Sequence, residues 1–370
     1  MIAPSWFHKK LTDRGVDFFC GVPDSLLKPY CNYIQLNEPQ RHIITVNEGA
    51  AVALAAGHYL GTKSPALVYL QNSGLGNMVN PLVSLASREV YGLPMVLLIG
   101  WRGEPGRPDE PQHQVQGRIT PALLDCLDIP FSILPSSTDA VEHLLDQMMT
   151  HFQETPGPFA LVVPKGRFEA VDFTPSSPSD FTREEAVQII AEALPNETRV
   201  VATTGKISRE LYEYRERSQT SGRLDFLTVG SMGHASAIAL GLARSQPDHM
   251  VVCIDGDGAM LMHMGTVSTI GVEAPSNLTH IVLNNGCHES VGGLPSAGSV
   301  VDLSSIMRAS GYPQVARVNN DVDLKSQLQS CLSTGLAGIE VLVSADSRSD
   351  LGRPKRTPQD AKRTFIEYTS

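Results

Sequence analysis

The sequence lacks the features that would assign it to several common classes of protein. It has no run of about 18 consecutive apolar residues, so no membrane-spanning helix is predicted. It has no GxxxxGKS/T motif, which excludes a phosphate-loop nucleotide enzyme. Its 29 basic residues are outnumbered by 39 acidic ones, and the net charge of −10 argues against nucleic acid or an anionic membrane as a partner.

Cysteine is scarce, and its spacing predicts neither a metal site nor a disulfide framework. The six cysteines form no CxxC pair, and most of them lie in apolar segments. We interpret them as reduced core residues of a cytoplasmic protein. The N-terminal stretch 1–15, MIAPSWFHKKLTDRG, has no apolar h-region and is not expected to be a signal peptide.

Apolar runs of strand length alternate with helical patterns along the chain. This alternation predicts an α/β fold with parallel sheets that carry helices on both faces. The stretch 171–181 is rich in serine and proline and has the composition of a linker. It separates two α/β domains of similar size, 1–170 and 182–370, with no room for a third domain between them. Ligands of such sheets bind outside the carboxyl ends of the strands.

The stretch 250–293 carries the clearest chemical signal. Two apolar strands are predicted at 250–254 and 279–283, with a helix over 261–272 between them. The first strand leads into Asp255-Gly256-Asp257-Gly258 and the second into Asn284-Asn285-Gly286. A parallel crossover brings both strand ends to one sheet edge, so the two motifs are expected to lie side by side.

One carboxylate and one amide at a sheet edge suit Mg²⁺, which prefers oxygen ligands that it shares with substrate phosphates. The neighbouring glycines let a diphosphate approach backbone N–H groups and a helix N-terminus. Either motif alone would be interpreted as a turn or an unrelated loop. Because each motif closes an apolar strand, a cation and diphosphate site is the stronger interpretation.

The spacing of the two motifs resembles that of thiamine-diphosphate-dependent enzymes. The resemblance implies thiamine diphosphate and Mg²⁺ as cofactors, with Asp257, Asn285 and the backbone carbonyl of Cys287 as metal ligands. The Cys287 thiol is then incidental, and it stands where many relatives have a smaller residue. The other cofactor contacts that the resemblance implies are Asn72, Thr204, Gly205, Ser231, Met232, Gly256, Gly258 and Ala259. Among them, Met232 matches the bulky residue that holds the cofactor in its bent form.

Glu48 follows a strand predicted at 42–46 and precedes an alanine-rich helix at 50–59. Alone, it would be interpreted as an acid favoured by the helix dipole. Thiamine diphosphate needs a carboxylate beside its pyrimidine ring, because that acid stabilises the tautomer that serves as an internal base. Glu48 matches the activating glutamate of the family. The resemblance also implies that different subunits hold the two ends of the cofactor, so the active species is at least a homodimer.

Seven segments resemble the phosphonopyruvate decarboxylases, a two-domain branch of this superfamily. The segments are GVPDSLLK, QNSGLGN, GEPGRPDEPQHQVQG, TTGKISRELYE, DFLTVGSMGHASAIALG, NNGCHESVGG and DLGRP. The similarity implies decarboxylation of 3-phosphonopyruvate to phosphonoacetaldehyde and CO₂ in phosphonate biosynthesis, for example of an antibiotic. Sulfopyruvate decarboxylase is the nearest alternative. A catalytically silent thiamine-diphosphate-binding protein is an alternative of another class, against which the activating acid argues.

A substrate with a carboxylate and a phosphonate needs positive charge in an otherwise acidic chain. Arginine suits bidentate contact with a phosphonate, and lysine serves as a point charge. The substrate-binding candidates are Arg102, His113, Lys206 and Arg209, with His288 beside the metal motif and Arg348 and Arg353 as weaker ones. For any one of these basic side chains, a solvated surface charge is the preferred interpretation.

Proton transfer needs a group that titrates near the working pH. Histidine titrates nearest neutrality, and related decarboxylases carry acid–base groups on carboxyl-edge loops. We predict His113, on a loop over 101–116, and Asp24, after the first strand, as catalytic residues, with His288 as a third candidate. Asp24 is also compatible with a helix cap.

Overall fold

The computed structural model describes residues 1–177 and 179–369. The chain forms two compact units, Met1–Thr174 with Val291–Leu294 and Pro175–Ser290 with Pro295–Ser370. Each unit contains a six-stranded parallel sheet, so the predicted α/β fold with two successive parallel sheets is confirmed. Pro178 of the predicted linker and Ser370 of the predicted second domain lie outside the described residues.

The sheet of the first unit has the strand order β2-β1-β3-β4-β6-β5. Its strands are β1 (Phe19–Gly21), β2 (His42–Ile44), β3 (Ala66–Gln71), β4 (Met95–Gly100), β5 (Phe131–Ile133) and β6 (Pro158–Val163). The central strands β3, β4 and β6 are almost entirely buried, as expected where helices cover both faces of a parallel sheet. Alternate residues of β3 enter opposite cores: Leu67 and Tyr69 pack into one cluster, and Val68 and Leu70 into another.

The helices of the first unit follow the strands in alternation. They are α1 (Pro4–Thr12), α2 (Lys28–Asn37), α3 (Glu48–Thr62), α4 (Leu75–Pro81), α5 (Pro111–Cys126) and α6 (Thr138–Glu154), with a 3₁₀ turn at Asn72–Gly74 and a π turn at Leu82–Ala86. The prediction that His113 lies on a loop over 101–116 is wrong. Pro111 is compatible with the first helical position, where its missing N–H is not needed, and α5 begins there. His113 therefore lies in the first turn of a helix.

The sheet of the second unit has the strand order β11-β12-β10-β9-β7-β8. Its strands are β7 (Arg199–Ala202), β8 (Asp225–Leu227), β9 (Val251–Gly256), β10 (Leu278–Asn284), β11 (Gln314–Val318) and β12 (Ala337–Leu342); Cys287–His288 and Leu294–Pro295 are two-residue strands. The strand β9 lies between β7 and β10, in a register that pairs Ile254 with Ala202 and Gly256 with Leu283. The chain segments that follow these three strands therefore leave the same edge of the sheet.

The second unit contains eight helices among the residues that the structure describes. They are α7 (Arg183–Ala193), α8 (Lys206–Ser218), α9 (Ala235–Ser245), α10 (Asp257–Met262), α11 (Gly265–Glu273), α12 (Leu303–Ala309), α13 (Asp321–Cys331) and α14 (Pro358–Thr369). A capping box of Thr182 and Glu185 begins α7. The single helix predicted over 261–272 is wrong, because His263 leaves the helical conformation and separates α10 from α11.

Two predictions about composition can be compared with the structure. All six cysteines are free thiols, and five are buried while Cys126 is exposed. Within 1–177 and 179–369, the structure has no helix that combines the length and the apolar character needed to cross a membrane.

Candidate active site

Glu48 is the first residue of α3, and its carboxylate is buried in the first unit. Asn47 caps the helix by accepting a hydrogen bond from Gly49 N at 2.8 Å. Asn77 Nδ2 donates a hydrogen bond to Glu48 Oε2 at 2.7 Å. A Cβ atom on Gly74 would lie 2.6 Å from Glu48 Cδ, so the carboxyl group occupies space that only a glycine leaves. Burial raises the pKa of Glu48, which favours the protonated form that can donate a hydrogen bond.

Asp24 lies after β1 and is completely buried. Its Oδ2 accepts hydrogen bonds from the N–H groups of Leu26 at 2.8 Å and Leu27 at 3.2 Å, and its Oδ1 accepts one from Gln71 Nε2 at 2.8 Å. Gly100 makes room for it, because a Cβ atom there would lie 2.8 Å from Asp24 Cγ. Burial raises its pKa. Asp24 thus organises the turn before α2, and its role in proton transfer stays a prediction.

Asn72 connects three elements of the first unit. Its Nδ2 donates to Arg102 O at 2.8 Å and to Thr120 Oγ1 at 3.0 Å, while its Oδ1 accepts from Arg102 N at 3.1 Å. The side chain is fully buried. It therefore fixes the chain after β4 against the end of β3 and α5. The cofactor contact that the resemblance implies for Asn72 stays a prediction.

Arg102, Asp109 and His113 form a largely buried charged cluster at the same sheet edge. Arg102 Nε and Nη2 donate to Asp109 at 2.8 and 2.5 Å, and Arg102 Nη1 donates to Ser25 Oγ at 3.0 Å. His113 Nδ1 lies 3.0 Å from Asp109 Oδ1. The structure therefore brings together Arg102 and His113, which are both substrate-binding candidates of the sequence analysis, His113 being also a candidate for proton transfer. Asp109, which connects them, was missed.

Asp257 is the first residue of α10, directly after β9, and it is buried. Ser296 Oγ donates a hydrogen bond to its Oδ2. A Cβ atom on Gly298 would lie 2.5 Å from that oxygen and 2.9 Å from Asn284 Oδ1. Burial raises the pKa of Asp257 to about 6, and the neighbouring Asp255 carboxylate adds to the rise. A divalent cation beside Asp257 would offset both effects.

Asn285 follows β10 at the edge where Asp257 follows β9, as the crossover argument predicted. Its Nδ2 donates to Glu289 Oε2 at 3.3 Å, and its Oδ1 accepts from Cys287 N at 3.2 Å. Glu289 therefore holds the amide nitrogen and sets the direction of the amide oxygen. Burial raises the pKa of the Cys287 thiol to about 12, so the sulfur is protonated and is not a thiolate ligand.

The donor set of the second unit fits Mg²⁺. The Asp257 carboxylate, the Asn285 amide oxygen and the Cys287 carbonyl oxygen are the hard ligands that this ion prefers. A carboxylate that is buried with a raised pKa and close to a second acid is stabilised by a cation. These residues could therefore hold the metal, while Glu289 orients Asn285 from behind.

The residues predicted to bind the diphosphate surround this edge. The strand β7 neighbours β9 in the sheet, and it leads through Thr204 and Gly205 into the N-terminus of α8. The N-terminus of a helix favours anions. Gly205 and Ser231 have left-handed backbone, with φ of 101° and 54°. A Cβ atom on Gly258 would lie 3.3 Å from both Met232 Cε and His288 Cε1, so these three residues are neighbours.

The basic candidates of the second unit are engaged in the structure. Lys206 Nζ donates to Glu289 Oε1 at 2.7 Å and to Ser347 Oγ at 2.5 Å. Arg209 donates to the backbone carbonyls of Leu351 and Gly352. Arg348 pairs with Glu184, Glu213 and Asp350. Burial lowers the pKa of His288 to about 4, so this imidazole is neutral near pH 7 and supplies no charge to an anion.

A separate buried polar group lies between β9 and β10. Ligand atoms of Cys253, Asp255 and His280 lie within 4.8 Å of one another. Asp255 Oδ2 is 3.5 Å from His280 Nε2, and His280 Nδ1 is 3.2 Å from Tyr312 Oη. Among the described residues, neither Asp255 Oδ2 nor His280 Nε2 has a hydrogen-bond partner. We describe the group as a buried acid–imidazole pair beside the metal motif.

Comparisons with known proteins agree with this geometry. The model of the thiamine pyrophosphate enzyme N-terminal TPP binding domain matches residues 3–123, and that of the C-terminal TPP binding domain matches residues 203–341. A phosphonopyruvate decarboxylase of Streptomyces viridochromogenes is 37% identical over 97% of this chain and 93% of its own. One of Streptomyces hygroscopicus is 37% identical over 100% and 94%. A sulfopyruvate decarboxylase of Methanosarcina acetivorans is 29% identical over 84% and 83%.

The chain contains two thiamine-diphosphate-binding domains in succession. The first has a buried glutamate, and the second has the Gly-Asp-Gly and Asn-Asn motifs at one edge of its sheet. These features define a thiamine-diphosphate-dependent enzyme. The reaction class is decarboxylation, so the protein is a carboxy-lyase. Within that class, the chain belongs to the phosphonopyruvate decarboxylase family.

Proposed function

We propose that this enzyme uses thiamine diphosphate and Mg²⁺ to convert 3-phosphonopyruvate into phosphonoacetaldehyde and CO₂, in the cytoplasm and in phosphonate biosynthesis. The observation that carries the proposal is the end-to-end match with two proteins named phosphonopyruvate decarboxylase. The second candidate is sulfopyruvate decarboxylation, which the Methanosarcina relative favours. Its lower identity and shorter coverage place it behind the first.

Each unit carries residues that the proposal assigns to the cofactor. When bound, thiamine diphosphate supplies a nucleophilic carbon and a sink for the electrons that CO₂ leaves behind. Glu48 would hold a proton beside the pyrimidine ring, and burial raises its pKa in favour of that form. Asp257, Asn285 and the carbonyl of Cys287 would hold Mg²⁺. Met232 would support the cofactor next to the diphosphate residue Gly258.

The diphosphate contacts come from backbone and hydroxyl groups of the second unit. They are Thr204, Gly205, Ser231, Gly256, Gly258 and Ala259. Helix N-termini and left-handed turns present N–H groups to a diphosphate without side chains in the way. On the pyrimidine side, Asn72 would contact the cofactor, and it also fixes the chain at Arg102 through two hydrogen bonds.

We propose that Arg102 in the first unit and Lys206 in the second bind the anionic groups of the substrate. Arg102 is held by Asp109 and Ser25, with 18% of its side chain exposed. Lys206 is held by Glu289 and Ser347, with 24% exposed. An anchored cation loses little freedom when it binds an anion. Arg209 and His288 are weaker candidates, since the first is bonded to backbone carbonyls and the second is neutral near pH 7.

We propose His113 and Asp24 as the groups that move protons on the substrate. Both lie beside Arg102 in the first unit, and both have pKa values shifted by burial. Shifted pKa values are frequent among acid–base residues of active sites. His113→Ala should lower turnover and leave cofactor binding intact, and unchanged turnover would remove His113 from the mechanism.

We propose that the enzyme acts as a homo-oligomer, at least a dimer, with active sites between subunits. In the first unit, apolar side chains are exposed on α3, the π turn and α5, namely Leu54, Leu60, Val83, Val115 and Ile119. We propose that a second subunit covers these side chains. Light scattering of the active enzyme tests this, and an active monomer would contradict it.

The test of the reaction is product analysis with purified enzyme. Phosphonopyruvate should yield phosphonoacetaldehyde and CO₂ in equal amounts, and only when thiamine diphosphate and Mg²⁺ are both present. Removal of Mg²⁺ with a chelator should abolish the reaction, and added Mg²⁺ should restore it. Activity without thiamine diphosphate would contradict the proposal.

A further inference from the structure

Asp109 accepts five hydrogen bonds at the end of the loop between β4 and α5. Arg102 donates from Nε at 2.8 Å and from Nη2 at 2.5 Å, and the N–H groups of Gly103 and Glu110 each donate at 2.7 Å. The fifth partner is His113, whose Nδ1 lies 3.0 Å from Asp109 Oδ1. Because an ionised carboxylate can only accept, Nδ1 must carry the ring proton.

Close backbone contacts hold this loop against α5. Gly103 has a φ of 70°, and a Cβ atom there would lie 2.6 Å from the carbonyl carbon of His113. A Cβ atom on Gly117 would lie 2.6 Å from Gly103 Cα, and Trp101 Nε1 donates to Gly117 O at 2.8 Å. The loop that carries Asp109 and the helix that carries His113 are therefore held together by their backbones, which fixes the carboxylate against the imidazole.

We propose that Asp109 is a positioning residue for proton transfer by His113, an inference that rests on the decarboxylase function proposed above. Asp109 keeps the proton of the neutral imidazole on Nδ1, so that Nε2 is the nitrogen that exchanges protons. Conversion of a 2-oxo acid to an aldehyde breaks one C–C bond, and the electron pair left by CO₂ forms a new C–H bond. His113 takes the required proton from solvent at Nε2, and Asp109 stabilises the imidazolium until that proton passes to carbon.

The charges around His113 favour this role. Three charged groups face the imidazole: Asp109 from the loop, Arg102 from the end of β4, and Asp24 from the turn after β1. Burial lowers the pKa of His113, with Arg102 adding to the effect and the two acids opposing it. The ring is therefore neutral near pH 7. Burial raises the pKa of Asp109, but hydrogen bonds from Arg102 and His113 outweigh burial and hold that pKa well below its usual range. Asp109 is therefore ionised near pH 7.

Asp109→Asn separates this role from a purely structural one. An amide N–H that faces His113 Nδ1 would move the ring proton to Nε2 and block the exchanging nitrogen. In Ser-His-Asp triads the same substitution leaves the geometry intact and lowers kcat about 10⁴-fold, because it stabilises the wrong tautomer. Asn also loses acceptors for Arg102 and for backbone N–H groups, so the test must isolate the effect that passes through His113.

A double-mutant cycle on kcat isolates that effect. We expect D109N to lower kcat at least about tenfold, and to have almost no further effect on kcat in an H113Q background. Any change in KM reports the loosened Arg102 and does not enter the cycle. D125N is the control, because Asp125 is an exposed acid on the same helix, and its kcat should equal that of the wild type. An equal loss from D109N in both backgrounds would overturn the proposal.

A second readout needs no substrate. Diethyl pyrocarbonate modifies unprotonated imidazole nitrogen, and peptide mass spectrometry gives the rate at His113. We expect D109N to slow this modification at least severalfold at pH 7, while cofactor-free D109N keeps a cooperative melting transition. An equal or faster rate would overturn the proposal. This readout decides the role of Asp109 even if the wild type fails to decarboxylate phosphonopyruvate, a result that would contradict only the proposed function.

Discussion

Gly74 lies directly against the carboxyl group of Glu48, where a Cβ atom would stand 2.6 Å from Glu48 Cδ. Gly76, two residues further on, is a matched comparison, because a Cβ atom placed there has no described atom within 4 Å apart from its chain neighbours and its own helix backbone. Both glycines have ordinary helical backbone, so alanine is compatible with the chain at either position. The slot at Gly74 is therefore the one place in this turn where a single methyl group would displace the acid.

Gly74→Ala should lower CO₂ release at least roughly a hundredfold, because it moves the acid away from the cofactor. Gly76→Ala should retain activity and gain about 0.5–1 kcal/mol of stability from the better helix former. Steady-state kinetics and thermal melting of both variants check the pair. Full activity in Gly74→Ala would show that the position of Glu48 is not critical.

Glu48→Gln should separate stability from activity. A carboxyl group with a raised folded-state pKa stabilises the fold below its unfolded pKa, and that contribution is lost as pH rises through the folded pKa. At pH 7, above the unfolded-state pKa, the buried carboxyl group therefore carries a free-energy cost that glutamine removes. Without cofactor, Glu48→Gln should melt about 2 °C or more above the wild type at pH 7, and the difference should shrink toward pH 4.

The activity of Glu48→Gln should fall at least about a hundredfold at every pH, because an amide cannot supply the proton. Glu89→Gln, a change at an exposed acid, is the control and should alter neither property. A pH-independent shift in melting temperature would contradict the assignment of the cost to the buried carboxylate.

Gly298 leaves space for the carboxylate of Asp257, as Gly74 does for the carboxyl group of Glu48. A Cβ atom on Gly298 would lie 2.5 Å from Asp257 Oδ2. A Cβ atom on Gly265 would meet no described atom within 4 Å outside its chain neighbours and its own helix. Gly298→Ala should weaken Mg²⁺ binding at least about tenfold, and Gly265→Ala should not. Isothermal titration of Mg²⁺ in the presence of thiamine diphosphate measures both. Equal affinities would remove Asp257 from the metal site.

The proposed division of the cofactor between subunits predicts complementation. Glu48→Gln and Asp257→Asn should each be inactive alone. If each site takes Glu48 from one subunit and Asp257 from the other, a mixed dimer purified through two different tags contains one intact site of two. It should show about half of the wild-type activity, as two-fold symmetry requires. No activity in the mixed dimer would contradict sites between subunits.

The buried pair of Arg183 and Glu210 should matter far more for stability than an exposed pair. Their bonds are 2.9 and 2.7 Å long, and both side chains are at least 96% buried. Glu210→Gln should cost about 3 kcal/mol, because it leaves a buried charge under-compensated, and lower the melting temperature by roughly 6 °C or more. Asp321→Asn, in the exposed pair with Lys325, should cost less than about 0.5 kcal/mol.

The parts of the fold that the sequence predicted are those encoded by local patterns. The apolar runs of β9 and β10 and the glycines after them required no knowledge of distant contacts, and the register places Gly256 beside Leu283 as the crossover rule expects. Pro111 is compatible with a helix start, but the polar stretch 101–116 as a whole favours a loop. His113 was placed on a loop for that reason.

Long-range partners could not be predicted from one sequence. Ser296 and Gly298 contact Asp257 only because the chain returns to the sheet edge after a loop. Asp109 was missed because an acid in a polar loop has no pattern that distinguishes it from a solvated one. Its importance comes from the folding of Arg102 and His113 around it.

The measurement that tests the central claim most directly compares kcat/KM for phosphonopyruvate, sulfopyruvate and pyruvate, offered separately with thiamine diphosphate and Mg²⁺. The account predicts that phosphonopyruvate is preferred over both by roughly a hundredfold, about 2.7 kcal/mol of transition-state discrimination. A preference for sulfopyruvate would keep the fold, the cofactor site and the reaction class but contradict the proposed substrate. No CO₂ from any of the three would contradict the proposed function itself.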